Sequence, residues 1–198
     1  MGKIRYWLIA GFIIFLAIVY SAIPDRDSTL SKLKAVAEQG DVNAQYALGL
    51  MYYYGEHVEV DYEQAKLWYE KAATNNDPRA QVKLGVMYAN SLGVNQDYQQ
   101  SKSWYEKAAA QNDVDAQFLL GEMYDDGLGV GQDYQQAKMW YEKAAAQNDA
   151  QAQFDLGVMN ELGQGGSINL KQARTWFGLA CKNGHKEGCE RFNVLSDK

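Results

Sequence analysis

Residues 114–149 read VDAQFLLGEMYDDGLGVGQDYQQAKMWYEKAAAQND, and residues 78–113 read PRAQVKLGVMYANSLGVNQDYQQSKSWYEKAAAQND. One stretch is a copy of the other, displaced by 36 residues. Working outward, the pair Ala-Gln recurs at Ala44-Gln45, Ala80-Gln81, Ala116-Gln117 and Ala152-Gln153. Gly49, Gly85, Gly121 and Gly157 follow in register, as do Trp68, Trp104, Trp140 and Trp176. A fixed period of this length marks a solenoid, in which each unit buries its apolar face against its neighbours. Such a fold offers an elongated surface and usually has no closed catalytic pocket.

Each unit reads as two helices. Ala44, Leu48 and Tyr52, with Gln45 and Gly49, recur at helical spacing, and after a turn region at 55–61 the series Tyr62, Ala65, Trp68, Tyr69, Ala72, Ala73 steps by three and four. Asn75-Asn76-Asp77-Pro78 ends one pair and starts the next. Asp77, Asp113 and Asp149 are expected N-caps, because a short carboxylate accepts the free N–H groups of a first turn, and Pro78 suits the first helical position. Glycine inside a helix costs about 1 kcal/mol relative to alanine. Repeating it at Gly49, Gly85, Gly121 and Gly157 implies a compensating close approach of the paired helix. Tyr52, Trp68 and Tyr69 are expected to fill the gaps between units, and Trp104 is expected to be core.

These residues resemble the Sel1-like repeat family, a relative of the tetratricopeptide repeats. The resemblance rests on Ala44, Leu48, Gly49, Met51 and Tyr52, then Tyr62, Ala65, Trp68, Tyr69, Ala72 and Ala73; both series recur at 80–109, with Ser101 in place of Ala65, and at 116–145. The loop between the helices is longer than a tetratricopeptide unit allows. The resemblance implies an all-α, right-handed α-solenoid of about four 36-residue helix-turn-helix repeats plus capping helices. The units are expected at about 42–77, 78–113, 114–149 and 150–185, with a half-unit at 29–41 and a cap at 186–195, making a repeat domain of 29–195. The fourth unit departs from the pattern at Asn160, Leu170 and Phe177-Gly178-Leu179, as terminal units of solenoids often do.

The N-terminus is of another kind. Lys3 and Arg5 precede an uncharged run from Tyr6 to Ile23. Eighteen residues of helix span about 27 Å, just enough for a hydrocarbon core. Tyr6, Trp7 and Tyr20 stand where interfacial aromatics are expected. Residues 1–23 therefore read as a transmembrane signal-anchor and 24–28 as a linker. The positive flank stays in the cytoplasm. The chain is then a single-pass protein of the bacterial inner membrane with its repeats in the periplasm. The rival reading is a cleaved signal peptide and a soluble periplasmic domain; no stretch near Tyr20 places small residues at both −3 and −1.

Comparison of the copies separates two stripes on the first helices. One is nearly constant (Ala44, Gln45, Leu48, Gly49, Tyr52). The other varies. It holds Asn43, Ala47, Leu50 and Tyr54 in the first unit, and Arg79, Lys83, Val86 and Asn90 in the second. The third carries Asp115, Leu119, Glu122 and Asp126, and the fourth Gln151, Asp155, Val158 and Leu162. Offsets of 0, 4, 7 and 11 define one helix face. A face free to differ is inert solvent surface or a tailored partner surface. Since first helices line the concave wall of helical solenoids, it is read as a site for a protein or peptide partner.

Other chemistry is sparse. Cys181 and Cys189 are the only cysteines, placed at the end of a second helix and early in the next first helix. A disulfide suits that placement and an oxidising compartment, and the same spacing closes one in the cysteine-rich Sel1-like subgroup; free buried thiols are the alternative. A metal site from Cys181, His185 and Cys189 would have only three ligands. Gly163-Gln164-Gly165-Gly166-Ser167 lacks the Lys-Ser/Thr of a phosphate loop. Glu70, Glu106 and Glu142 lie a full repeat apart and read as solvated surface. Net charge −6 argues against nucleic acid. No cofactor, metal or catalytic set is expected. The chain reads as a non-enzymatic interaction scaffold. The alternatives are an immunity protein against a secreted effector such as a phospholipase toxin, a role the resemblance suggests, and an enzyme acting on cell-wall material.

Overall fold

The computed structural model describes residues 26–196, with side chains from 29 onward. The proposed anchor at 1–23 lies outside the described residues. All regular elements among the described residues are helices: α1 Arg26–Glu38, α2 Val42–Tyr54, α3 Tyr62–Thr74, α4 Pro78–Asn90, α5 Tyr98–Ala109, α6 Val114–Asp126, α7 Tyr134–Ala146, α8 Ala150–Leu162, α9 Leu170–Lys182 and α10 Lys186–Val194. Helix α1 starts at Arg26, inside the segment read as linker. No helix among the described residues is long and apolar enough to cross a membrane.

The chain divides into two compact units, Met1–Trp68 and Tyr69–Lys198. In the first, α1 packs on α2, and Ala37, Ala44, Leu48 and Trp68 form a core. In the second, α4 through α10 stack in chain order, each on the next.

Side-chain caps set the helix starts from α2 onward. Asp77, Asp113 and Asp149 accept from the N–H groups of Ala80, Ala116 and Ala152. The second helices have their own caps, which the sequence reading did not single out: Asp97, Asp133 and Asn169 accept from Gln100, Gln136 and Gln172. Each satisfies an N–H that the first turn leaves without a partner.

The glycines inside first helices are explained by the second helix of the same pair. A Cβ on Gly85, Gly121 or Gly157 would stand 2.3–2.4 Å from the ring of Tyr105, Tyr141 or Phe177. The aromatic that needs the gap is therefore the one after tryptophan, and it packs within a pair rather than between units. Tyr105, Tyr141 and Phe177 are buried. Trp104 is only half-buried, with the Lys107 ammonium 3.8 Å from its ring centre, and Lys143 covers Trp140 at 3.6 Å. The expectation that Trp104 is core fails because Tyr105 takes the buried position against Gly85 and leaves Trp104 half-buried.

The glutamines join one pair to the next. Gln81, Gln117 and Gln153 are buried. Each accepts an amide N–H from the turn that ends the second helix of its own pair, 30 residues on: Gln111 to Gln81 at 2.9 Å, Gln147 to Gln117 at 3.0 Å, Asn183 to Gln153 at 2.8 Å. Their own amides donate to Ala73 O and Asn76 Oδ1, to Asn112 Oδ1, and to Ala145 O respectively. A buried amide left without partners costs about 1–3 kcal/mol, so satisfying both ends fixes the spacing of the pairs.

The stack ends in a staple. Cys181 and Cys189 form a disulfide with their Cα atoms 4.5 Å apart, tying α9 to α10. His185 takes the place of the aspartate caps: its Nδ1 accepts from Gly188 N, its Nε2 meets Gln151 Oε1 at 3.0 Å, and its ring stacks on Phe154. The atoms of the three-ligand metal alternative are thus otherwise engaged. The loop at 163–167 packs as an ordinary inter-helix connection, with Gly163 in the left-handed region closing α8.

Candidate functional site

The variable stripe lies where the first helices meet solvent. None of its residues is buried. Asn43, Tyr54, Arg79, Asn90, Asp115, Asp126, Gln151 and Leu162 are exposed; Ala47, Leu50, Lys83, Val86, Leu119, Glu122, Asp155 and Val158 are half-buried. The constant residues behind them, such as Leu84, Leu120 and Leu156, are fully buried. The stripe's centre is therefore a shallow, mixed surface, in which half-buried apolar side chains alternate with charges.

Its charge is not evenly spread. On α4, Arg79 holds Asp77 in an ion pair at 2.5 Å. Burial raises the Asp77 carboxyl, but the Arg79 guanidinium and the Ala80 N–H outweigh it and hold the group below the ordinary carboxylate range. On α6 and α8 the balance is acidic. Burial, then the charges of Asp126 and Asp125, push Glu122 up. Burial and Asp126 likewise raise Asp125, although the Tyr141 hydroxyl, 3.5 Å away, donates to it. Asp155 is pushed up to about 7, first by burial and then by Glu122, Asp125 and Asp149, against the hydrogen bonds it accepts from the Gln151 amide at 3.3 Å. The sequence reading placed Glu122, Asp126 and Asp155 on one face. It missed Asp125, which falls off the offsets that define the stripe, and Tyr141, which reaches this face from the second helix.

A cavity of about 320 Å³ opens on the same face. Val86 of α4 and Leu119 and Met123 of α6 line it, with Leu128 from the following loop; Glu122 supplies a carboxylate. Ser101 and Tyr105 of α5 and Met123 of α6 are its buried members, Ser101 fully so. Ser101 occupies the position held by Ala65, Ala137 and Ala173 in the other units, all fully buried. Its Oγ has no hydrogen-bond partner. The sequence flagged this departure from alanine but gave no reason to connect it with the stripe. Among the described residues no group of His, Cys, Asp and Glu side chains is arranged to hold a metal ion.

The Sel1 repeat family profile matches residues 42–77, 78–113, 114–149 and 150–185. The chain belongs to the Sel1 repeat family. Among solved structures, a Sel1 repeat protein from Oxalobacter formigenes is similar at 35% identity and a TM-score of 0.74, over 77% of this chain and 62% of that one. A protective antigen of uropathogenic Escherichia coli strains, with the same repeat fold, is similar at 30% identity and a TM-score of 0.83, over 96% of this chain and 41% of that one. The chain thus spans less than two thirds of either relative. An immunity protein from Pseudomonas aeruginosa shares the fold at 19% identity and a TM-score of 0.53, over 93% of this chain and 80% of that one. No curated protein matches the chain. Sel1 repeats are scaffolds suited to protein–protein contact, and the constant and variable stripes described above are how these Sel1 repeats divide packing from surface.

Proposed function

We propose that this chain is a non-enzymatic scaffold that holds a protein or peptide partner along the variable stripe of its first helices. The observation that carries the reading is the contrast across one helix face. On the first helices the alanine, glutamine, leucine and glycine that copy faithfully are buried, while positions 83, 119 and 155 differ in charge and polarity and are half-buried. A surface with half-buried Val86, Leu119 and Val158 among charges has the mixture of a partner interface, where an apolar centre is ringed by polar groups. The N-terminal run is proposed to tether the scaffold to the bacterial inner membrane with the repeats on the periplasmic side. The Cys181–Cys189 disulfide supports an oxidising compartment for them.

The test is site-specific photo-crosslinking in intact cells. A photoreactive residue is placed at Leu119 or Val158 on the stripe, and at Met139 on α7, which is exposed and belongs to a second helix. A discrete crosslinked species from 119 and 158, absent from 139, is the expected outcome. Crosslinking from 139 alone would move the interface off the stripe.

A further inference from the structure

We propose that the cavity beside Ser101 and Glu122 is a lysine pocket, which takes one lysine side chain of the protein partner with its stem on apolar walls and its ammonium between the carboxylate and the buried hydroxyl. The proposal rests on the reading of the stripe as a partner surface and names the chemistry it selects.

Three observations carry it. First, the walls are apolar where a stem would lie. Val86, Leu119, Met123 and Leu128 offer hydrocarbon contacts, and a lysine stem buries well along such surface while its head stays polar. Second, Ser101 is a buried hydroxyl where three sister units have alanine, and it lacks a hydrogen-bond partner. An orphaned buried hydroxyl costs about 1–3 kcal/mol, so retaining one where alanine fits calls for a ligand that uses it. A serine oxygen has two lone pairs and accepts readily from an ammonium. Third, the mouth is crowded with negative charge. Glu122 lines the cavity, and Asp125 and Asp126 stand close enough to raise its proton affinity. The nearby cation of α5 is committed elsewhere, since Lys102 pairs with Glu106 at 2.6 Å. A cation entering here relieves mutual repulsion as well as forming a pair.

The geometry favours an ammonium over a guanidinium. Lysine carries a compact point charge with three rotatable donors, which one carboxylate and one hydroxyl on different helices satisfy. Arginine's planar fork is matched by two oxygens in one plane.

The experiment uses the full chain, isotopically labelled, and follows amide NMR signals on titration with the blocked pentapeptide Ala-Ala-Lys-Ala-Ala. The same peptides with norleucine or arginine at the centre serve as controls. Saturable shifts at Ser101, Leu119 and Glu122 are expected with lysine. Binding should be weaker by at least about tenfold with norleucine, the worth of one charge-assisted hydrogen bond. Glu122→Gln should weaken lysine binding by a similar factor and leave the fold intact, because it removes a charge from an acidic cluster. Ser101→Ala restores the residue of the other units; it should fold at least as well and bind lysine less tightly. Equal binding of norleucine, equal binding of arginine, unchanged binding in both variants, or no localised shift each overturns the pocket. If the peptides fail while the photo-crosslinks at Leu119 and Val158 persist, the lysine pocket falls and the scaffold stands. If those crosslinks vanish, the scaffold reading itself falls.

Discussion

Gly121 shows how one missing side chain sets the geometry of a pair. Alanine there would gain about 1 kcal/mol of helix propensity. Its Cβ would also stand 2.4 Å from the ring of Tyr141, which is buried and would have to shift. Overpacking of this kind costs about 1–3 kcal/mol, which offsets or exceeds the propensity gain, so Gly121→Ala should lower stability by up to about 2 kcal/mol in urea denaturation. Asp155 carries a different kind of strain. Its carboxyl is raised from 3.8 to about 7 by burial and by the acidic residues facing it. Below 3.8 the group is protonated in both folded and unfolded chains and exacts no penalty. As pH climbs from there to about 7, the unfolded chain ionises first and stability falls, levelling off once the folded carboxyl has also ionised. Asp155→Asn should therefore raise the melting temperature more at about pH 8 than at about pH 5, while the wild type loses stability over that interval. Charge reversal at Asp155 is thus no neutral probe of binding, because the position bears on folding too.

At the scale of helices, the order and pairing were legible in the sequence because a 36-residue period repeats every clue: caps, glycines and apolar steps all recur in phase. The facing of the second helices was not. Trp104 and Tyr105 both fit a helical period, and only the cross-helix contact with Gly85 decides which turns inward. Tyr105→Ala should cost about 3–5 kcal/mol as a buried aromatic, and Trp104→Ala clearly less, since the tryptophan keeps one face to solvent under Lys107. Equal losses in thermal denaturation would reject that assignment. The candidate site was legible to the same extent. Offsets along one helix gave the stripe, but the cavity arises from α4, α5 and α6 meeting in space, and the crowding of carboxylates from Asp155 of α8 coming near Glu122 and Asp125 of α6, which spacing within a single helix does not encode. The last helix depends on a covalent tie. Helix α10 has nine residues, too short to persist alone. Replacing both Cys181 and Cys189 by serine should cost about 2–3 kcal/mol for so short a loop, and amide exchange should rise first in α10.

For the whole molecule, the composition sets how it meets its surroundings. The net charge of −6 is carried in part by the stripe of α6 and α8, so association with a basic partner should weaken as salt rises from about 0.05 to 0.5 M, where screening shortens from over 10 Å to under 5 Å. If residues 1–23 act as a tether, the full chain should stay with membranes through alkaline carbonate washing, and a chain beginning at residue 24 should not; release of both would reject the tether. The glutamine ladder has a consequence for ancestry as well. Each first-helix glutamine donates back to the end of the pair before it, Gln81 to Asn76, Gln117 to Asn112 and Gln153 to Ala145, so a segment of 36 residues duplicated in frame brings both halves of its own joint. Lengthening such a gene requires no fresh adaptation at the seams, and every added copy brings one more helix face that is free to diverge.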